Sequence, residues 1–152
     1  ETIQAISSFA PKDAYRLLDI NLRQRYYDKE LIEESLYLAN VLKVNDEEFD
    51  VLRDLFGLEG TERDIALWFI EKYDLALTAG SSHSTIYTRE ETSTLPTPEV
   101  TVADTVGAGD AFSGALIISL LKGKSLSEAH HFAVKTAAFV CTKEGAWPVY
   151  EE

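Results

Sequence analysis

The chain has 152 residues, of which 45% are apolar and 11% aromatic, and its 14 basic and 26 acidic side chains give a net charge of −12 at pH 7. A chain of this length and composition normally buries roughly 68–70% of its unfolded surface, so we predict one folded domain rather than a disordered protein. The negative charge argues against binding of nucleic acid, which needs clustered Lys and Arg to neutralise phosphates.

Apolar periodicity in the first half of the chain predicts alternating helices and short strands. The first three predicted elements are a helix through Ile3, Ile6 and Phe9 that ends at Pro11, a buried strand over Tyr15–Ile20, and a helix over Asp28–Asn40. The next three are a strand over Val41–Val44, a helix over Asp46–Phe56 with Gly57 as its stop, and a helix from Thr61 and Asp64 to Tyr73. Thr61 with Asp64 is typical of a capping pair, and Gly57 of a helix C-terminus.

The second half continues the alternation. Strands are predicted over Asp74–Ala79 and Ser84–Arg89, joined by a turn at Gly80-Ser81-Ser82, and a short edge strand is predicted over Glu99–Val102 after Pro96 and Pro98. Two helices are predicted to follow, one opened by Gly107–Gly109 and running to about Lys122, and one opened by Ser125 with Glu128 and ending near Gly145. Alternating strands and helices favour an α/β fold with a largely parallel central sheet.

Cysteine usage and apolar run lengths bear on the cellular setting. Cys141 is the single cysteine, which excludes an intramolecular disulfide and a cysteine zinc site and favours a reducing, cytoplasmic setting. The longest apolar stretch, Ala111–Leu121, is well short of the roughly 20 residues that a membrane span needs. Because the sequence begins with Glu and contains no Met, we expect a fragment or an incomplete sequence.

The segment Asp104–Asp110 is Asp-Thr-Val-Gly-Ala-Gly-Asp and leads directly into an apolar helix. Small residues let backbone N–H groups approach an anion closely, and a helix N-terminus adds unpaired donors and a positive dipole end. Asp110 is placed to accept a proton from an attacking hydroxyl while these amides hold a transferring phosphoryl group. In isolation, a glycine-rich turn with Asp110 favourable in the first turn of a helix is the simpler explanation.

Two predicted strand ends carry further polar residues. In an open α/β sheet, ligands bind at the carboxyl ends of strands. There Asn45 and Glu48 are suited to a phosphate and to the water shell of Mg²⁺, although Asn45 capping a helix with an acidic first turn explains the pattern equally well. Arg23 is suited to clamp an anion, although a surface salt bridge is the commoner use of such a residue.

Taken together, these segments resemble the PfkB (ribokinase-like) carbohydrate kinase family. The matching motifs are D-x-N-x-R at Asp19–Arg23, K-x-N-x-x-E at Lys43–Glu48, T-x-G at Thr78–Gly80, D-T-x-G-A-G-D-x-F-x-G-A at Asp104–Ala115, and Gly145-Ala146. The Asp19–Arg23 form is most similar to fructokinases and 2-keto-3-deoxygluconate kinases. The resemblance implies a three-layer α/β/α ribokinase-like fold, of which residues 1–152 would be the C-terminal, nucleotide-binding part, with the N-terminal half and lid absent.

The same resemblance implies the chemistry, which is ATP-dependent transfer of the γ-phosphoryl group to a sugar hydroxyl. Asp110 would be the catalytic base, Gly107, Ala108 and Gly109 would form the anion hole, and Glu48 would serve Mg²⁺ through water. The residues implied in phosphate or substrate binding are Asn21, Arg23, Asn45, Thr78, Gly80 and Thr105. The alternative is an inactive fragment that serves as a phosphate-binding or assembly module.

The expected partners are therefore a small-molecule sugar and ATP, with no nucleic acid and no membrane. If strands are missing, an uncovered sheet edge and apolar face would favour a homo-oligomer or pairing with the absent half. His130 and His131 are adjacent on a predicted helix and so point in different directions, which makes a joint metal site unexpected and favours surface or half-buried roles.

Overall fold

The computed structural model describes residues 2–22, 27–73, 76–79 and 82–148, with the backbone alone for residues 76–79. In chain order its elements are α1 (Thr2–Ser8), β1 (Leu17–Asp19), α2 (Lys29–Leu38), β2 (Val41–Val44), α3 (Asp46–Phe56), α4 (Glu62–Tyr73), β3 (Ala76–Ala79), β4 (His83–Tyr87), β5 (Thr92–Pro96), α5 (Ala108–Leu121) and α6 (Leu126–Cys141). The described strands form one sheet in the order β1-β2-β3-β4-β5. Strand β2 pairs in parallel with both β1 and β3, which confirms the predicted α/β class.

The last strand is not where the sequence predicted it. Residues 99–102 have no regular structure, and β5 lies earlier, at Thr92–Pro96. The reason is a tight turn in which the Thr88 N–H donates to Glu91 O (2.9 Å) and the Thr88 hydroxyl accepts from the Glu91 N–H (3.0 Å). The chain then continues as a strand with alternating burial, and Pro96 is tolerated because it is the last residue of that strand.

The C-terminal helix also ends earlier than predicted, at Cys141 rather than near Gly145. The Cys141 carbonyl accepts hydrogen bonds from the N–H groups of Ala103 (2.8 Å) and Asp104 (3.3 Å). A carbonyl that bonds to a distant loop no longer needs a donor from the next turn, so the helix stops there.

The chain divides into two compact units, one of residues 1–80 and 85–92 and the other of residues 81–84 and 93–152. The core of the first unit gathers side chains from α2, β2, α3 and α4. Its most deeply buried members include Leu36, Leu42, Leu52, Ala66, Phe69 and Ile70. Gly57 ends α3 in the left-handed conformation (φ 64°), as predicted, and lets the chain turn so that α4 can pack on the same core.

The second unit is built on the packing of α5 along α6. Small buried side chains on α6, Ala129 and Ala133, allow a close approach, and Phe112 and Leu116 of α5 are buried beside them. Contrary to the sequence expectation of a surface or half-buried role, His130 is fully buried (0% exposed), whereas His131 is exposed. Among the helices described, none is long and apolar enough to cross a bilayer.

Candidate active site

The motif residues fall into two sets, one in each compact unit, and each set has its own geometry. Arg23 and Gly80 lie outside the described residues. Thr78 lies on β3, where its backbone pairs in register with Val44 of β2. The remaining residues of the first set lie at the carboxyl ends of β1 and β2, and those of the second set surround the start of α5.

In the first unit, an ion pair joins the ends of β1 and β2. Asp19 and Lys43 are partners in the parallel register, and the Lys43 ammonium donates to an Asp19 carboxylate oxygen. Asn21 follows in the left-handed region (φ 45°), which Asn tolerates better than most residues. The strand end therefore leads into a sharply turned loop that presents an exposed Asn21.

The beginning of α3 is a complete capping box, so the capping explanation for Asn45 is confirmed. The Asn45 side-chain oxygen accepts from the Glu48 N–H (2.9 Å), and the Glu48 Oε2 atom accepts from the Asn45 N–H (2.9 Å). The other Glu48 oxygen, Oε1, accepts from the N–H of Leu22 (3.0 Å), in the loop after β1. Sequence reasoning missed this last contact, which ties α3 to the loop that contains Asn21.

The geometry of Glu48 limits how it can serve Mg²⁺. Its side chain is buried (7% exposed), and both carboxylate oxygens already hold backbone N–H groups. In the described part of the chain, no group of three or more His, Cys, Asp or Glu side chains is arranged to hold a metal. Glu48 therefore does not fit as a direct ligand, but each oxygen keeps a lone pair that fits a hydrogen bond from a metal-bound water.

A mostly apolar cavity of about 350 Å³ adjoins this first set. Its lining comes from β1, the following loop and α2, and it consists of Leu18, Ile20, Asn21, Leu22, Tyr27, Leu31, Ile32 and Ser35. Strand β1 is also at one end of the strand order, so one of its edges has no strand partner among the described residues. An apolar cavity beside a free strand edge is a surface suited to further polypeptide.

In the second unit, α5 begins at an open N-terminus. Its N-cap is Gly107, which lies in the left-handed region (φ 82°) and supplies no side-chain cap. Backbone donors in the first turn are therefore not taken by a capping side chain, which is the arrangement that binds anions at helix N-termini. Asp110 lies in this first turn and is exposed.

The loop before α5 is held by the loop after α6. The Asp104 carboxylate accepts from the N–H groups of Val106 (3.0 Å) and Gly145 (3.2 Å). Both bonds lower the pKa of Asp104, and the bond from Val106 has the larger effect. A Cβ atom on Gly107 would lie 2.6 Å from the Ala146 carbonyl oxygen, so only glycine fits there. Thr105 is exposed, and its carbonyl accepts from the Ala108 N–H (3.3 Å).

Chemically, the second set combines an exposed carboxylate with an uncapped helix N-terminus. Amides so arranged stabilise a developing negative charge, and a carboxylate beside them can take a proton from a hydroxyl that attacks phosphorus. An α/β fold with polar strand ends and a glycine-rich helix start is typical of enzymes that handle phosphorylated ligands.

Comparison with known proteins identifies the family. The model of the pfkB family carbohydrate kinases matches residues 1–151, and the chain belongs to that family. It is 35% identical to Fructokinase-1 of Oryza sativa subsp. japonica over 119 residues, which cover 72% of this chain and 36% of that protein.

Solved structures show the same fold. The ribokinase of Thermotoga maritima superposes with a TM-score of 0.75 at 26% identity, covering 95% of this chain and 47% of that one. Aminoimidazole riboside kinase from Salmonella enterica, solved with aminoimidazole riboside and an ATP analogue, gives a TM-score of 0.66 at 31% identity over 87% and 47% of the two chains. The chain thus spans less than half the length of these relatives, and the predicted ribokinase-like fold is confirmed.

Proposed function

We propose that this chain is the C-terminal, nucleotide-binding part of an ATP-dependent sugar kinase of the fructokinase type. The observation that carries the proposal is the start of α5, where an uncapped, glycine-rich helix N-terminus carries an exposed Asp110 in its first turn. Family membership supplies the reaction class, and the ATP analogue in the related Salmonella kinase supports ATP as the phosphoryl donor.

In the proposed reaction, the oxygen of the sugar hydroxyl attacks the γ-phosphorus while Asp110 accepts the proton of that hydroxyl. The bond between the γ-phosphorus and the oxygen of the leaving ADP breaks. Backbone amides of Gly107 and Gly109 stabilise the negative charge on the transferring group. The Ala108 N–H donates to the Thr105 carbonyl in this structure (3.3 Å) and would exchange that long bond for one to the transferring group. The packing of Gly107 on Ala146 holds the backbone in place before the reaction. The amides of Gly107 and Gly109 therefore need not reorganise during the phosphoryl transfer.

The remaining motif residues are proposed to bind phosphate or sugar groups. They are Asn21, Arg23, Asn45, Thr78, Gly80 and Thr105. When bound, Mg²⁺ would neutralise charge on the ATP phosphates, and Glu48 is proposed to accept a hydrogen bond from one of its waters. The burial of Glu48 and its two backbone hydrogen bonds support this indirect role.

The complete enzyme is proposed to need polypeptide beyond these 152 residues to position the sugar. This chain spans 36–47% of the three relatives named above, and phosphoryl transfer depends on holding the acceptor hydroxyl in line with the γ-phosphate. The cavity beside β1 and the free edge of that strand support pairing there with an N-terminal half or with a second copy. A cytoplasmic setting is proposed from the single cysteine and the family.

The decisive experiment is the Asp110→Asn substitution in the full-length kinase, assayed with MgATP against fructose, ribose and 2-keto-3-deoxygluconate. Loss of a general base lowers kcat by roughly 10²–10⁴-fold while nucleotide affinity and fold are retained. The matched control is Asp50→Asn, which removes the same charge from an exposed position on α3. Turnover near the wild-type value in Asp110→Asn would remove this carboxylate from the mechanism.

A further inference from the structure

Among the side chains that the structure describes, His130 is the most deeply buried ionisable group that the proposed reaction does not use. It lies on α6, is 0% exposed, and has a pKa lowered to about 4, first by burial and then by the nearby charge of His131. At neutral pH it is therefore an uncharged imidazole. A buried neutral ring has one nitrogen that donates and one that accepts, and each needs a partner.

Both ring nitrogens are satisfied by hydroxyls from two different strands. Nε2 lies 2.8 Å from the Ser84 hydroxyl on β4, and Nδ1 lies 2.8 Å from the Ser93 hydroxyl on β5. A serine hydroxyl both donates and accepts, so the pair serves either neutral tautomer. The imidazole thus fixes α6 to two neighbouring strands at one point within the second unit.

The same ring contacts α5 near the proposed catalytic residues. The Phe112 ring meets the imidazole edge to face, with centroids 6.0 Å apart, and Phe112 itself is only 6% exposed. Phe112 follows Asp110 by two residues, in the second turn of α5. The ring contact therefore joins the imidazole to the second turn of α5, directly after the first turn whose amides and carboxylate are proposed to act on the phosphoryl group.

We propose that His130 is a positioning residue for phosphoryl transfer, which sets the first turn of α5 because Phe112 packs against an imidazole that Ser84 and Ser93 hold in place. The inference rests on the proposed function, since it assigns a support for the same helix N-terminus. The other side of that turn is held by Gly107 packing on Ala146, so α6 and the loop after it together fix where Asp110 lies. A leucine would fill a similar volume, but only a side chain with two polar ends holds both serines.

The test compares variants of the full-length protein in two measurements. The variants are His130→Leu, His130→Gln and Ser93→Ala. His131→Leu is the matched control, because that ring is exposed and its ring nitrogen bonds to the Ser127 carbonyl of its own helix. The first measurement is the set of backbone amide NMR resonances of Gly107, Gly109 and Asp110, with and without inorganic phosphate. The second is kcat and KM for ATP.

We expect His130→Leu to shift the three amide resonances and to lower kcat by roughly tenfold to a hundredfold, because a small misplacement of a catalytic group is costly. KM for ATP should change less than about threefold, since the misplaced groups act mainly in the transition state. His130→Gln keeps a polar end and should recover part of the loss, and Ser93→Ala should give a smaller effect of the same kind. His131→Leu should change neither measurement.

Unchanged amide resonances and an unchanged kcat in a folded His130→Leu protein would overturn the proposal and leave His130 as a core residue alone. If His130→Leu does not fold, the Ser93→Ala variant decides between the outcomes, because it removes one hydroxyl and leaves the packing of His130 intact. Amide resonances and a kcat in Ser93→Ala equal to those of the His131→Leu control would equally overturn the proposal. If the wild-type protein transfers no phosphoryl group, the proposed function fails, and the amide resonances still decide whether His130 positions α5.

Discussion

Replacing Glu48 with alanine tests whether the main role of this carboxylate is to link α3 to the loop after β1 by hydrogen bonds. In the structure it accepts from the Asn45 N–H at the start of α3 and from the Leu22 N–H in the loop after β1. Alanine removes both acceptors at once. Both hydrogen bonds are part-buried, but Asn45 as a residue is exposed and Leu22 is half-buried, so water replaces more of the bond to the Asn45 N–H than of the bond to the Leu22 N–H.

The expected magnitude follows from those two bonds. A hydrogen bond to a charged group contributes about 1.5–3 kcal/mol, and solvation of the Asn45 N–H offsets part of one of them. We therefore expect Glu48→Ala to lower the free energy of unfolding by about 2–4 kcal/mol. Glu48→Gln keeps one acceptor oxygen and should cost about half as much.

The assay is urea unfolding followed by tryptophan fluorescence, with Glu47→Ala as the matched control. Glu47 is the neighbouring first-turn acid and is exposed, so its loss changes the helix charge but removes no buried acceptor. With a slope of about 2 kcal/mol per molar urea, Glu48→Ala should lower the midpoint of unfolding by roughly 1–2 M relative to Glu47→Ala. Equal midpoints for the two variants would refute the tie between α3 and the β1 loop.

Four further predictions follow from the same structure. Gly107→Ala should lower the free energy of unfolding in urea more than Gly123→Ala does. Both glycines have a left-handed φ, which costs alanine about 1–2 kcal/mol, but a Cβ on Gly107 would also collide with the backbone of Ala146, whereas one on Gly123 would meet nothing. Equal losses in the two variants would contradict the contact with Ala146. Lowering the pH from about 6.5 to 4 should remove up to about 3 kcal/mol of stability through His130, because the unfolded chain binds a proton there before the folded protein does. Unfolding curves at each pH should show that His130→Leu loses this part of the dependence and keeps the part due to carboxylates with a lowered pKa, such as Asp104. In the proposed full-length kinase, Glu48→Gln should raise the Mg²⁺ concentration needed for half-maximal rate, and an identical titration would leave Glu48 with its structural hydrogen bonds to Asn45 and Leu22 alone. The 152-residue chain alone should scatter light as more than a monomer and release no sugar-dependent ADP from MgATP; sugar-dependent release from a monomer would show that the sugar site is built within these residues.

Much of the fold could be predicted because its signals are local. Strand β2 and helix α3 have the predicted bounds, since Asn45 caps the helix by a bond to a residue three positions on and Gly57 ends it in a conformation that glycine favours. The Ser125 box at the start of α6 is equally local. The helix start at Gly107–Asp110 is in this class too, because its small residues and carboxylate are contiguous in the chain.

What only the tertiary structure decided are contacts between residues that are distant in the sequence. Periodicity and composition do not predict such contacts. Three examples are the bond between Glu48 and Leu22, the packing of Gly107 on Ala146, and the two serines that bond to His130. Each contact depends on where the fold brings two segments together. A polar side chain is predicted to lie at the surface unless its buried hydrogen-bond partners are known. The local sequence therefore set most of the elements and the composition of the motif, whereas long-range packing decided where α6 ends and which distant residues contact the motif.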